Sequence, residues 1–171
     1  MADRVSASII IGGTVTPDLW TQLVAHIAAE DLSVEWDGDA FAPNAAIEGE
    51  PLRLFSHNVA WGRFEALEQY CCDNRIAYRR WSGGCPGSFG AERIVYDGKT
   101  GPLNYDVDED DHVVVHANII AQLGSMRAIR HYLKAAETEI PALVLADTAD
   151  PDATTTASSS SSSSSKGADN G

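Results

Sequence analysis

The sequence is short of positive charge. Twelve lysines and arginines stand against 25 aspartates and glutamates in 171 residues, a formal net charge of −13. Binding to phosphate backbones and anionic lipid is driven by Lys and Arg, so the expected partners exclude nucleic acid by direct contact and exclude membranes. Long apolar runs are also missing. Ile9–Ile11 is followed at once by Gly12-Gly13, too short for a signal-peptide core, and no stretch approaches the ~18 apolar residues of a membrane span. The expected compartment is the cytoplasm. Cysteine is scarce and odd in number: Cys71 and Cys72 are adjacent and Cys85 is alone. That makes a poor disulfide framework, and no Cys/His spacing of a zinc site is present.

What the sequence does have is an ordinary globular body, 44% hydrophobic and 22% charged, long enough to bury a core without staples. The composition changes near Asp147. From there a Ser run, Ser158–Ser165, and four aspartates against Lys166 leave nothing apolar to bury, so 147–171 is expected to be a disordered tail. Residues 1–146 then form one domain, which carries most of the acidity.

Within that domain the patterning predicts a short strand at Ser8–Ile11, stopped by the two glycines. Thr16-Pro17-Asp18 marks a helix start, with Thr16 as N-cap and Pro17 in the first turn. Trp20, Leu23, Val24, Ile27 and Ala28 then make one apolar stripe. Strands are predicted at Ser33–Trp36 and Leu52–Ser56, separated by a long loop over Asp37–Pro51. A second helix is predicted over Val59–Asp73, capped by Asn58 and stopped at a left-handed Asn74. Strands at Ile76–Trp81 and Arg93–Tyr96 flank the glycine-rich loop Ser82–Ala91, and Asp97-Gly98 opens a turn. A strand at Val113–Val115 is followed by helices at 117–123 and 126–137, separated by Gly124 and Ser125, and Pro141–Ala146 is a last strand. The first six elements read βαββαβ, so the expected fold class is α+β with a ferredoxin-like antiparallel sheet and a C-terminal β/α extension. Trp61–Glu65 and Tyr78–Gly84 are similar to stretches of accessory proteins from bacterial mobile elements; they define no family, and no residue role follows.

Several motifs suggest chemistry and fail on spacing. Gly83-Gly84-Cys85-Pro86-Gly87-Ser88-Phe89-Gly90 resembles a phosphate cradle, but it leads into a strand rather than a helix, and Pro86 removes a donor. Gly98-Lys99-Thr100 lacks the upstream glycine of a Walker motif, where Arg93 stands instead. His112 and His116 would share a metal on a helix. The intervening valines favour a strand, on which four residues span about 13 Å, so no metal site is expected. The acidic run Asp106–Asp111 lacks the Gly and closing Glu of a calcium loop, and no cofactor is expected. The RNA-recognition reading that accompanies a ferredoxin-like order lacks the aromatic signature and the basic sheet it needs. Of the cysteines, Cys85 is the candidate nucleophile, with Arg79, Arg80 and His57 as possible activators, but nothing in the sequence sets a His beside it.

Two functional expectations remain. The leading one is a non-catalytic module that binds a protein with a basic surface, in its sharpest form an inhibitor that imitates a nucleic-acid backbone. Its candidate contacts are Glu30, Asp31, Glu35, Asp37, Asp39, Glu48 and Glu50 in one group, and Asp106, Asp108, Glu109, Asp110 and Asp111 in another. The alternative is a small enzyme or anionic-ligand site at the Arg79–Gly90 region, using Arg79, Arg80, Trp81, Gly84 and Gly87.

Overall fold

The computed structural model describes residues 2–146. The expected tail at 147–171 lies outside the described residues.

The organising element is β1 (Arg4–Val15), whose Ala7, Ile9, Ile11 and Val15 are buried. It is longer than Ser8–Ile11 because the chain runs straight through Gly12 and Gly13. Gly12 answers to a neighbour rather than to a turn, since a Cβ there would stand 1.8 Å from the Pro141 carbonyl oxygen, whereas Gly13 takes a positive φ of 118°. Helix α1 (Pro17–Ala29) begins as its sequence predicts, with the Thr16 hydroxyl accepting from Leu19 N–H at 3.3 Å. It buries Leu23 and Ile27.

The predicted strand at Ser33–Trp36 reduces to one residue. Ser33 exchanges backbone hydrogen bonds with Phe55, 3.1 and 2.8 Å, after which the chain turns near Glu35–Gly38 and returns to pair with Ser33 at Ala40. Strand β2 (Leu52–Ala60) continues past Ser56, because Val59 and Ala60 pair with Val5 and Arg4 of β1. The second helix is correspondingly shorter than predicted. Trp61 and Gly62 take left-handed backbone (φ 55° and 65°), and α2 spans Glu65–Asp73. Asn58 therefore lies in a strand and caps nothing. At the other end Arg75, not Asn74, takes the left-handed conformation (φ 56°).

Strands β3 (Ala77–Ser82) and β4 (Glu92–Tyr96) form the expected hairpin. An unpredicted strand, β5 (Leu103–Asp106), follows the Asp97 turn and pairs with β4. Val113–Val115 is not a strand, since Val113 alone bridges to Val107. Helices α3 (Ala117–Leu123) and α4 (Met126–Ala136) meet as predicted at left-handed Gly124 and at Ser125, whose hydroxyl accepts from Ala128 N–H. Strand β6 (Leu143–Leu145) runs parallel to β1 at Gly13–Val15.

The result is a mixed α+β fold on a six-stranded sheet, ordered β2-β1-β3-β4-β5 with antiparallel pairing along that path and β6 joined in parallel to the end of β1. The expected ferredoxin-like order is corrected. With no strand at 33–36, α2 carries the chain from β2 across β1 to β3, and β1 has two antiparallel neighbours. Helices α1 and α2 cover one sheet face over the main core of Ile9, Ile11, Leu23, Leu54, Phe64 and Leu67. Each such side chain contributes about 1.5–3 kcal/mol by leaving water. A smaller cluster of Val95, Tyr105 and Ala136 seats α4 on the opposite face.

Candidate functional site

Strand alternation divides the residues singled out in the sequence. Along β3, Tyr78, Arg80 and Ser82 face the helical layer, whereas Arg79 and Trp81 face the other side. Arg80 is 1% exposed and engaged through its terminal nitrogens. Its guanidinium donates to the Gly62 carbonyl, to Ser82 Oγ and to Glu92 Oε1, the last at 2.7 Å. Its Nε stands 2.8 Å from Glu68 Oε1 as an ion pair out of line with the N–H bond. Glu68 also accepts from Phe64 N–H at the head of α2, and Glu92 from Asn104. Burial alone would raise the Glu92 carboxyl, but the hydrogen bond and charge of Arg80, helped by Asn104 and Arg63, hold it below the usual value. Arg80 therefore ties α2 to the sheet, and Arg79 and Arg80 do not meet at one site.

The opposite face carries the unusual surface. Register places Arg53, Ile10 and Arg79 side by side across three strands, with Phe55, Ser8, Trp81 and Arg93 in the next row. Arg93 is neutralised: Asp111 lies 2.9 Å from Nε and Glu137 2.8 Å from a terminal nitrogen, which also reaches the Ala136 carbonyl. Burial works against its charge, and the two carboxylates more than offset that, raising its pKa. Arg79 is half-buried and has no ion-pair partner among the described residues. Burial and the Arg93 charge lower its pKa, with Arg53 adding and Asp111 and Glu137 opposing.

Above Phe55 and Trp81 sits Trp36, from the turn that replaced the predicted strand. Its ring lies 4.9 Å from Phe55, 4.9 Å from His57 and 6.2 Å, edge-on, from Trp81. His57 is further held by Ser6 Oγ at 3.1 Å and by Asp37 at 3.4 Å. On the far side, the Trp81 indole N–H donates to the Asp108 carbonyl at 3.4 Å. The two acidic stretches, Glu35–Asp39 and Asp108–Asp111, thus border one aromatic patch.

The remaining carboxylates do not join it. Glu30 and Asp31 end α1 beside Arg4, Asn58 and Arg63, and Glu48 and Glu50 lie near Trp20 and Leu143. Within the second group several carboxylates serve the fold. Asp108 accepts from the backbone N–H groups of His112 and Asp110 and contacts His112 Nδ1, which lowers its pKa. Asp106 stands 3.8 Å from His116. Ligand atoms of Asp108, Asp110 and His112 lie within 4.8 Å of one another, an arrangement these turn contacts account for.

The glycine-rich loop closes on itself through Cys85 and Phe89, whose backbones exchange hydrogen bonds of 2.9 and 3.1 Å. The Gly84 N–H is taken by the chain's own Glu109 at 3.0 Å, so the one carboxylate this loop holds is internal. Gly87 turns the loop with φ 82° and open space around it. Cys85 is a free, partly exposed thiol with no hydrogen bond to His57, Arg79 or Arg80 among the described residues. Burial raises the thiol pKa of both Cys71 and Cys72.

Two features were missed in the sequence. Trp36 sits in a turn rather than at the predicted strand end, and the acids and glycine that follow it, Asp37-Gly38-Asp39, are the signal for that turn. The α4 basic residues Arg127, Arg130, His131 and Lys134 follow helical spacing, a pattern the sequence carries at i, i+3, i+4 and i+7. Among the described residues no helix is long and apolar enough to cross a membrane. The chain matches no protein-family model, no curated protein and no solved structure.

Proposed function

We propose that this chain is a non-catalytic module that offers an aromatic patch, rimmed by carboxylates, to a basic segment of another protein. The observation that supports this best is the meeting of the two acidic stretches around Trp36 and Trp81. Indole faces attract Arg and Lys by about 0.5–2 kcal/mol. A carboxylate rim adds steering and discriminates against acidic competitors. Asp37 is 95% exposed and Trp36 36% exposed, so both reach a docked partner. A protein whose basic cleft normally holds nucleic-acid phosphates fits this chemistry, and occupying that cleft would inhibit it.

The experiment is capture of partners from a bacterial lysate by the full chain at low and high salt, with added DNA as competitor. A stoichiometric basic protein that is released by salt or DNA, and lost with Trp36→Ala or with Glu35→Gln/Asp37→Asn/Asp39→Asn, is the expected result. A partner retained by both variants would overturn the reading.

A second reading is favoured by Arg79. A half-buried guanidinium beside Arg53, with no carboxylate of its own, suits a small carboxylate or phosphate ligand seated over Ile10 next to Trp81. The glycine loop contributes to this site only if Glu109 leaves Gly84. Titration with inorganic phosphate or citrate, followed by thermal unfolding, tests it. A rise in Tm that Arg79→Ala abolishes is expected, and no rise with either anion defeats it.

A further inference from the structure

Helix α4 and its surroundings carry a surface that the preceding reading leaves unused. Arg127, Arg130, His131 and Lys134 recur at i, i+3, i+4 and i+7, so they lie along one stripe. All four are exposed, and none has an ion-pair partner among the described residues. In a chain of net charge −13 this is a strong local reversal of sign. Immediately after the stripe the sign changes back at Glu137 and Glu139. Arg93 bridges Glu137 and Asp111, so the acidic loop at 108–111 adjoins the same end of the helix. The face is therefore basic along α4, through Lys134 in its last turn, and acidic just beyond the helix, at Glu137, Glu139 and the adjoining 108–111 loop.

Beside the stripe lies an open groove of about 530 Å³ lined by Leu103, Tyr105, Leu123, Ala128, Tyr132 and Ala135. Leu103 is 50% exposed and Met126 63% exposed. Strand β5 forms one wall of the groove and pairs in the sheet only with β4; at its Asp106 end the other edge takes a hydrogen bond from Val114 N–H, 2.8 Å.

A surface whose two ends carry opposite charge is complementary to its own copy after a two-fold rotation, the commonest symmetry of homo-oligomers. We propose that this face is where two copies of the chain meet, α4 against α4 in antiparallel sense. A crossing centred at the level of Leu133 sets Arg127 and Arg130 of each copy against Glu139 and the Asp110 loop of the other, Glu137 being shared with Arg93, and covers Leu103 and Met126. Nucleic acid is the competing occupant of a basic stripe. Phosphates would leave the Leu and Tyr groove uncovered and would meet repulsion from the rest of the chain.

The test is sedimentation velocity of the full chain over a wide concentration range, at low and high salt. The wild-type chain is expected to reach twice the monomer mass, more weakly in high salt. Arg127→Glu/Arg130→Glu, and separately Asp110→Lys/Glu139→Lys, are each expected to weaken self-association by more than about tenfold, while circular dichroism shows the wild-type fold. Mixing the two variants is expected to restore a dimer, because each then presents the charge the other lacks. A monomer at every concentration overturns the proposal, as does a dimer that both variants keep. A mixture that stays monomeric, or a chain that shifts DNA through Arg127 and Arg130 without self-associating, also overturns it.

Discussion

The Arg80 guanidinium lies 2.7 Å from the Glu92 carboxylate in a site where Arg80 is 1% exposed. With Glu68 on its other side, Arg80 closes a three-residue charge network between α2 and the sheet. Removing one member of a buried pair leaves charge without compensation and costs about 3–5 kcal/mol. Arg80→Met is therefore expected to destabilise the fold by that amount, read as a lower urea midpoint with an unchanged slope.

The same network predicts an acid-sensitive term. The Glu92 carboxyl is held below its ordinary value of 4.5 in the folded chain. Its stabilisation is therefore fully present above that value and is lost as pH falls through the lower folded pKa. Glu30 has the opposite sign. Burial, reinforced by Glu68 and Glu65 and opposed by His26, raises its pKa, so its contribution is present in acid and is lost as pH rises. Glu92→Gln should flatten the fall of stability below about pH 4.5, and Glu30→Gln should raise stability at neutral pH. Denaturant midpoints measured across pH check both.

At Gly12 the fold depends on what is absent from the side chain. A Cβ there would overlap the Pro141 carbonyl oxygen at 1.8 Å, and relieving that contact means moving the lead into β6. Gly12→Ala is expected to cost about 1–3 kcal/mol, as overpacking does. It should also abolish hydrogen-exchange protection at Leu143 and Ala146, whose N–H groups bond to Glu50 and Val15, before it affects β3.

These examples show which parts of the fold were legible in the sequence. Signals that act within a turn or two read correctly: Thr16-Pro17 starts α1, and Gly124-Ser125 separates α3 from α4. Signals that depend on distant partners did not. Gly12 looks like a stop until Pro141 is placed beside it, and Asn58 looks like a cap until β1 pairs across from it. Strand β5 has one buried residue, Tyr105, in four, too little pattern to detect. For the candidate site, strand alternation alone separates Arg79 from Arg80. The sorting of twelve carboxylates into a patch rim, fold-holding contacts and distant ends needed the tertiary structure, because Trp36 reaches Trp81 only after β2 and β3 flank β1.

The three thiols should differ in reactivity. Cys71 is buried on α2, and burial disfavours the thiolate at both Cys71 and Cys72, whereas Cys85 sits partly exposed in a surface hairpin. The thiolate is the reacting species. Iodoacetamide under native conditions is therefore expected to label Cys85 ahead of Cys72 and to leave Cys71 unmodified until the chain unfolds, as read by peptide mass spectrometry.

Arg79 and Arg80 invite a paired substitution, because one strand gives them opposite environments. Arg79 lies between Arg53 and Arg93 with no carboxylate in ion-pair contact. Its removal relieves like-charge repulsion and leaves no buried partner stranded. Arg79→Ala is thus expected to change stability by no more than about 0.5 kcal/mol, the range of ordinary surface substitutions. A loss of several kcal/mol would mean that Arg79 holds the sheet to α4, which would remove the reason to regard it as free for a ligand. The same variant carries the ligand test: if phosphate or citrate raises Tm in the wild-type chain and not in Arg79→Ala, the anion is bound at Arg79.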